Sequence, residues 1–477
     1  MPDYDNDLRL LIDGEWMAPG HRKTMLVINP ATGTAIGTLP LADEIDLDHA
    51  LAAASSAFKT WRHSSVDERA RVLRGAAALL RERAPLIARH ATLEQGKPLA
   101  ESTGEVMASA NLFDYYAEEC RRSYGRVLVR PQGRRALVTK EPVGPVASFA
   151  PWNFPLHNPA RKLAPAIAAG CTVIMKPAEE APASALHVAR ALVDAGLPRG
   201  VVQIVFGRPD AVSRHLLASP LLRKVSFTGS TAVGKQLMRL AVDQALRTTM
   251  ELGGHAPAIV FEDADVDAVA TQLARTKYRN AGQICISPTR FYVQRPVYER
   301  FVERFVQHAA TIAVGNGLDA GVQMGPLAHA RRPAFIDALV DDARACGAEL
   351  LLGGRRPEST GFHYLPTVLA DVPDPARAMN EEPFGPVALM APFDDLDEVV
   401  ARANRLPFGL AAYAFTRNSR TAMHIGAALE SGMVGINTTS IAAADAPFVG
   451  VKHSGHGAED GPEGLESYLV TKAIHEE

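Results

Sequence analysis

The sequence predicts an α/β protein made of two open, mostly parallel sheets covered by helices, with a small β arm attached. Three observations carry this. Between about 144 and 250, short apolar runs alternate with helical patterns, which marks a parallel sheet buried on both faces. The same texture returns between about 252 and 456, with no internal sequence repeat. The arginine-rich stretch "GRVLVRPQGRRALVTKEPVG" instead alternates polar and apolar residues about a Pro-Gln-Gly turn, as a projecting hairpin does. A length of 477 residues accommodates about three such units.

Taken in order, residues 8–40 read as short strands and turns, with a D-G turn in "LLIDGEW". Asp46 is placed to cap a helix reaching Trp61. Ser65 and Glu68 form a capping-box pattern before helical spacing through about Leu93, which Pro85 kinks or divides. A further helix covers about 100–120. The hairpin follows, and its arginines read as a solvated arm or subunit contact. In the first parallel unit, strands are expected at 144–150, 171–175, 201–206, 223–227 and 247–251, with helices beginning near 158, 181, 209 and 230. In the second, strands are expected near 257–261, 289–294, 388–393, 410–415 and 433–437, with helices near 265–280, 297–312 and 418–429. The tail "LESYLVTKAIHE" reads as one more strand, able to pair with the hairpin of this chain or of a partner subunit.

Composition excludes several classes. A formal net charge of −3 gives no global basicity for nucleic acid. The four cysteines, Cys120, Cys171, Cys285 and Cys346, are scattered without a CxxC, so neither a metal site nor a disulfide framework is expected. The acidic N-terminus lacks the apolar run of a secretory signal. The longest near-apolar run, from Leu163 to Met175, contains Pro and Gly and is too short to span a bilayer. A cytoplasmic protein without a membrane partner is the expectation.

Five motifs stand at predicted strand ends, where ligands of open α/β sheets sit. "PWNFP" holds Asn153 between two prolines; alone, it is a helix cap. "MKPAEE" places Lys176 and Glu179 on what could equally be a solvated turn. "SFTGSTAVG" offers Gly229 and a helix start to a pyrophosphate, although no GxGxxG occurs and Gly-Ser-Thr also makes an ordinary cap. "MELGGHAP" puts Glu251 before a glycine pair. "RNAGQIC" ends on Cys285, and a lone cysteine is more often a small buried hydrophobe.

In this order and at these strand ends, the motifs resemble those of the aldehyde dehydrogenase superfamily along essentially the whole chain. "NEEPFGP" and "PFVGVKHSGHGAEDGPEG" also match, and Glu251 stands 34 residues before Cys285 (285 − 251), as in that family. The resemblance implies an NAD-binding domain of residues 1–123 and 142–251, a catalytic domain of 252–456, and an oligomerisation arm of 124–141 and 457–477. It implies that Cys285 attacks the aldehyde, that Asn153 helps hold the oxyanion, and that Glu251 activates the water that hydrolyses the thioester. Lys176 and Glu179 would bind the adenosine ribose, and Gly229 and Ser230 the pyrophosphate. Glu382 and Phe384 would hold the nicotinamide ribose and ring, beside Pro151 and Trp152. A carboxylate at Glu179 repels a 2′-phosphate, so NAD is the expected cofactor, with NADP accepted by some relatives. Glu459 matches a more distal carboxylate with a proton-relay role. A homodimer or homotetramer is implied.

Two arginines narrow the substrate. Arg161 lies eight residues after Asn153 and Arg279 six before Cys285. Alone, they read as a helix surface charge and a helix C-terminal charge. The spacing is similar to that of succinate-semialdehyde dehydrogenases, whose paired arginines clamp the far carboxylate through parallel N–H bonds. Departures are visible. The loop "NTTSIAAADAPF" carries alanines where those enzymes place a carboxylate-binding serine, leaving Ser440 as the nearest hydroxyl. Val449 replaces a glycine, and Ser287 removes a Cys-x-Cys switch. This suits 2-oxoglutarate or glutarate semialdehyde as well as succinate semialdehyde. Rival readings are a dehydrogenase for neutral aldehydes, a CoA-acylating enzyme and a non-catalytic NAD-binding scaffold. Glu251 argues against the second, and the joint presence of Cys285, Glu251 and Asn153 against the third.

Overall fold

The computed structural model describes Tyr4 and residues 7–476. Two parallel sheets organise it, each over its own hydrophobic core. The centre of the first sheet is parallel, in the order Val202–Ile204, Thr172–Lys176, Pro145–Phe149, Lys224–Thr228 and Arg247–Glu251. "PVASF" and "TVIMK" are buried at every position, as strands covered on both faces require. Antiparallel strands finish the edges: Leu10–Ile12 with Glu15–Met17 on one side, and Gly455–His456 beside Met250 and Glu251 on the other.

The second sheet has seven strands, ordered Glu349–Leu352, Thr367–Ala370, Val387–Phe393, Pro288–Gln294, Ala256–Val260, Ala411–Phe415 and Met433–Ile436. All pair in parallel except the first. The arm is a third sheet. Arg126–Val129 and Arg135–Pro142 form the hairpin, and Leu469–Glu476 of this same chain adds antiparallel, Leu469 opposite Pro142 and Glu476 opposite Arg135. Val127 and Val129 stay exposed on its outer strand. Among the described residues no helix is long and apolar enough to cross a membrane.

Several local expectations change. The first helix is Glu44–Trp61, capped by Asp43 and not Asp46. Asp46 is the third residue of the helix and closes a reciprocal capping box with Asp43. Ser65 does cap Val66–Glu82, and the chain breaks at Arg83 so that Pro85 falls in the first turn of Ala84–Gln95. The helices Arg331–Ala345 and Leu396–Asn404 and the strands Glu349–Leu352 and Thr367–Ala370 were not anticipated. They are short or weakly apolar, and the first has Pro333 in its opening turn.

The turn that delivers Cys285 is unusual. After the helix Val266–Tyr278, three successive residues take left-handed backbone: Asn280 at φ 47°, Ala281 at φ 52° and Gly282 at φ 72°. At Gly282 a side chain would run into the carbonyl of Gly385. Gly282→Ala is therefore expected to cost more than about 1 kcal/mol, through both strain and that clash. It should lower the melting temperature by about 1 °C or more, and an unchanged melting curve would show that the turn has slack.

Candidate active site

The carboxyl ends of both sheets face one cavity of about 1060 Å³, lined by Asn153, Arg161, Glu251, Arg279, Cys285 and Glu382 among others. The first sheet and its helices supply Asn153, Arg161 and Glu251. Arg279, Cys285 and Glu382 come from the second half.

Asn153 is fixed from three sides. Its carbonyl accepts from Lys97 Nζ at 2.8 Å and from Asn280 Nδ2 at 2.9 Å. Its side-chain Oδ1 accepts from Asn158 at 3.1 Å, and Nδ2 donates to the Gln283 carbonyl at 3.1 Å. An amide has two N–H donors, so one is left for a guest. Lys97 is itself held at 2.5 Å by Glu105. The other oxygen of Glu105 accepts from the backbone N–H of Leu156 (2.8 Å) and His157 (3.1 Å). It thereby caps the helix His157–Ala169, which has no side-chain cap of its own.

That helix carries Arg161 and Lys162 to the back of the cavity. Lys162 Nζ binds Glu459 at 2.5 Å, Thr228 at 2.9 Å and Ser226 at 3.1 Å. Arg161 binds Asp460 at 2.7 Å and lies over the Phe448 ring at 4.1 Å. Between them, Glu251 is buried with no hydrogen-bond partner on either oxygen. Burial, reinforced by Glu459, raises its carboxyl well above the usual range, against the pull of Lys162 and Arg161. Burial also pushes the Asp460 carboxyl up to about 6, against the opposing guanidinium of Arg161.

The Cys285 thiol is half-buried at the cavity floor. Burial pushes it up to about 12; Arg161 opposes this, Glu382 and Glu251 add to it, and the Ile286 N–H opposes it. The resting thiol is therefore protonated, and something must take its proton before it attacks.

Arg279 lines the same cavity but is exposed and forms no ion pair or hydrogen bond among the described residues. The two arginines whose spacing suggested a clamp thus reach one cavity in different states. Arg161 already holds an internal carboxylate, and Arg279 does not. Ser440 is exposed on the cavity rim, with its backbone N–H on Thr438 at 3.1 Å.

On the other side, Glu382 accepts from Gly254 N–H at 3.0 Å, and burial pushes its carboxyl up to about 7. A side chain at Gly253 would come within 2.7 Å of Glu382, so glycine leaves that carboxylate its place. Phe384 and His329 meet Trp152 edge-on at 5.6 and 5.4 Å, with Pro151 beside them in the wall. Ser230 caps the helix Thr231–Val242, and Gly229 folds tightly against the Phe227 ring. Lys176 and Glu179 lie beyond the cavity lining, joined at 2.6 Å, with Glu179 accepting from Gly207 N–H at 3.0 Å.

Residue spacing did not point to Lys97, Glu105, Asn158, Lys162 or Asp460. Only for Lys162 was there a signal: it stands directly before the apolar run Leu163–Ala169, and the structure buries it fully.

The sequence profile of the aldehyde dehydrogenase family matches residues 16–474. A 4-(hydroxymethyl)benzenesulfonate dehydrogenase from Comamonas testosteroni is 47% identical over 467 residues, 98% of this chain and 97% of the relative. An NADP(+) succinate-semialdehyde dehydrogenase from Escherichia coli K12 is 43% identical over 463 residues, 97% of this chain and 96% of the relative. The crystal structure of a succinate-semialdehyde dehydrogenase from Burkholderia pseudomallei superposes with a TM-score of 0.96 at 41% identity, covering 98% of this chain and 97% of that one. The chain belongs to the aldehyde dehydrogenase family, oxidoreductases that act on aldehydes with NAD or NADP.

Proposed function

We propose that this chain oxidises an aldehyde bearing an anionic group at its far end, using water as the acyl acceptor. The observation that carries this is Arg279, an exposed guanidinium that forms no ion pair or hydrogen bond among the described residues, on the wall of the cavity that holds Cys285, where it acts on the Glu101 carboxyl through its charge alone. A carboxylate-bearing semialdehyde, succinate or 2-oxoglutarate semialdehyde, is the substrate best supported. It places its carbonyl at Cys285 and its carboxylate toward Arg279. Ser440 on the rim adds a hydroxyl. A second reading, a sulfonate on a wider frame, is favoured by the helix Leu99–Glu119. That helix turns Ala100, Gly104 and Ala108 to the cavity, and open space lies where Gly104 would carry a Cβ.

The chemistry follows from the positions. The Cys285 thiol gives up its proton to water in the cavity, and Sγ adds to the carbonyl carbon to form a thiohemiacetal. The spare Nδ2–H of Asn153 and the backbone N–H of Cys285 donate to the oxyanion, each contributing roughly 3–4 kcal/mol. The residues fit a nicotinamide dinucleotide: Lys176 and Glu179 for the adenosine ribose, Gly229 and Ser230 at a helix start for the pyrophosphate, and Glu382 over Gly253 for the second ribose. Trp152, Pro151 and Phe384 wall the ring end. Such a cofactor, when bound, supplies the hydride acceptor. The thioester left on Cys285 is hydrolysed by water that Glu251 deprotonates. Glu459, in contact with Lys162, is the next carboxylate along for that proton. Glu179 sets a preference for NAD over NADP. The exposed edge of the arm, with Val127 and Val129, supports pairing into a homodimer or homotetramer.

Three outcomes test this reading. Because burial disfavours the ionised form of Glu251, the active base fraction grows with pH, and kcat should rise with pH above the range where ordinary carboxylates titrate. Glu251→Gln should then give one stoichiometric burst of NADH followed by turnover at least about 100-fold slower; undiminished steady turnover would remove Glu251 as the base. Succinate semialdehyde should exceed a neutral aldehyde of matched length by about 100-fold in kcat/KM, or 2.7 kcal/mol. Arg279→Met should erase most of that ratio, and equal use of the neutral aldehyde by the unmodified enzyme would sink the anionic substrate. Glu179→Gln should raise kcat/KM for NADP about tenfold, while an unmoved ratio would place the cofactor discrimination elsewhere.

A further inference from the structure

Asp460 occupies backbone that its residue type avoids. Its φ of 56° and ψ of 175° lie in a region almost reserved for glycine, where other residues store strain. Such strain persists only where the surroundings hold the residue, and here the side chain shows what holds it. It is the ion-pair partner of Arg161, with side-chain exposures of 2% and 8%. The contact is a single one. Arg161 Nε and Asp460 Oδ1 are both buried without hydrogen-bond partners, so this is not the two-bond fork that an arginine and a carboxylate form when free to align. The other side of the guanidinium is covered by Phe448. Arg161 forms part of the cavity wall and Asp460 does not. Asp460 thus meets the arginine from behind, where a substrate cannot reach.

We propose that Asp460 is a specificity-determining residue, which compensates Arg161 from outside the cavity and leaves Arg279 to read the anionic end of the substrate. The inference rests on the reading that the substrate carries such a group. It narrows the ligand class to aldehydes with one singly charged terminal group, carboxylate or sulfonate, on a frame that reaches Arg279. A second cation for a short, tightly clamped semialdehyde exists in the fold but is occupied. The unused N–H of Arg161 also explains how the arrangement can change: a substrate anion and Asp460 compete for one guanidinium.

The test is Asp460→Gly, which the backbone accepts without strain, beside the near-isosteric Asp460→Asn, which keeps the shape and removes the charge. Either variant frees Arg161. The KM for succinate semialdehyde should fall about tenfold, with the KM of a neutral aldehyde of matched length held within about twofold. Adding Arg161→Met to Asp460→Gly should cancel the gain. A KM for succinate semialdehyde that rises, or stays the same, in both single variants overturns the proposal, as does a gain that survives in the double variant. The two readings fail separately. An unmodified enzyme that ignores the anionic group, with variants that acquire the preference, supports Asp460 as the determinant and sinks the proposed substrate. An unmodified enzyme that prefers the anion, with unchanged variants, does the reverse.

Discussion

The ion pair between Lys97 and Glu105 is the contact on which the rest of the site depends. Both side chains are almost wholly removed from water, at 1% and 2% exposure. A buried pair is costly to form, but removing one partner leaves an uncompensated charge and costs roughly 3–5 kcal/mol. Here each partner has a second task. The ammonium binds the Asn153 carbonyl and lies over the Phe154 ring at 4.2 Å. The carboxylate caps the helix that carries Arg161 and Lys162. The neighbouring Gln95 donates to Asn280 at 2.8 Å, in the turn leading to Cys285. Gly317 and Gly325, from the other half of the chain, close over the backbone at Gly96 and Lys97. One short turn therefore sets the distance between an amide on the first sheet and a thiol on the second.

The back wall follows a different logic. Three carboxylates, Glu251, Glu459 and Asp460, face two cations, Arg161 and Lys162, in a region with little water. Two of the carboxylates pair with the cations, and the third, Glu251, is left without a partner. A carboxylate without hydrogen bonds in such a place favours its neutral form, which suits a group that must take a proton late in a reaction cycle. Pairing the cations with Glu459 and Asp460 is what prevents Glu251 from being drawn into a permanent salt bridge.

Legibility in the sequence followed the range of the forces involved. Strands buried on both faces announce themselves as short apolar runs, and Pro145–Phe149 and Thr172–Lys176 fell within a residue or so of their expected places. Arg331–Ala345 did not, because only five of its fifteen residues are buried and a proline stands in its first turn. Asn153, Glu251 and Cys285 were singled out from motif and chain order. Their coming together in one cavity is a property of the fold. Glu105 acts on Leu156 across 51 residues, and nothing local marks it as a cap. Arg161 was singled out, but its internal partner was not, since the carboxylate that compensates it lies on left-handed backbone that an aspartate gives no reason to expect.

The long separation of these partners has a consequence for how the protein is made. Lys162 leaves the ribosome 297 residues before Glu459, which at about 5–20 residues per second is a wait of roughly 15–60 s. Arg161 waits as long for Asp460. Until then the helix holding both cations has a hydrophobic face to bury and two charges that burial would strand. Packing that helix onto the first sheet before residues 459 and 460 are made would bury two cations without partners. The same C-terminal segment brings the two carboxylates and, a few residues on, Leu469–Glu476, which completes the arm. Charge balance at the back wall is thus complete only once residues 459 and 460 are in place.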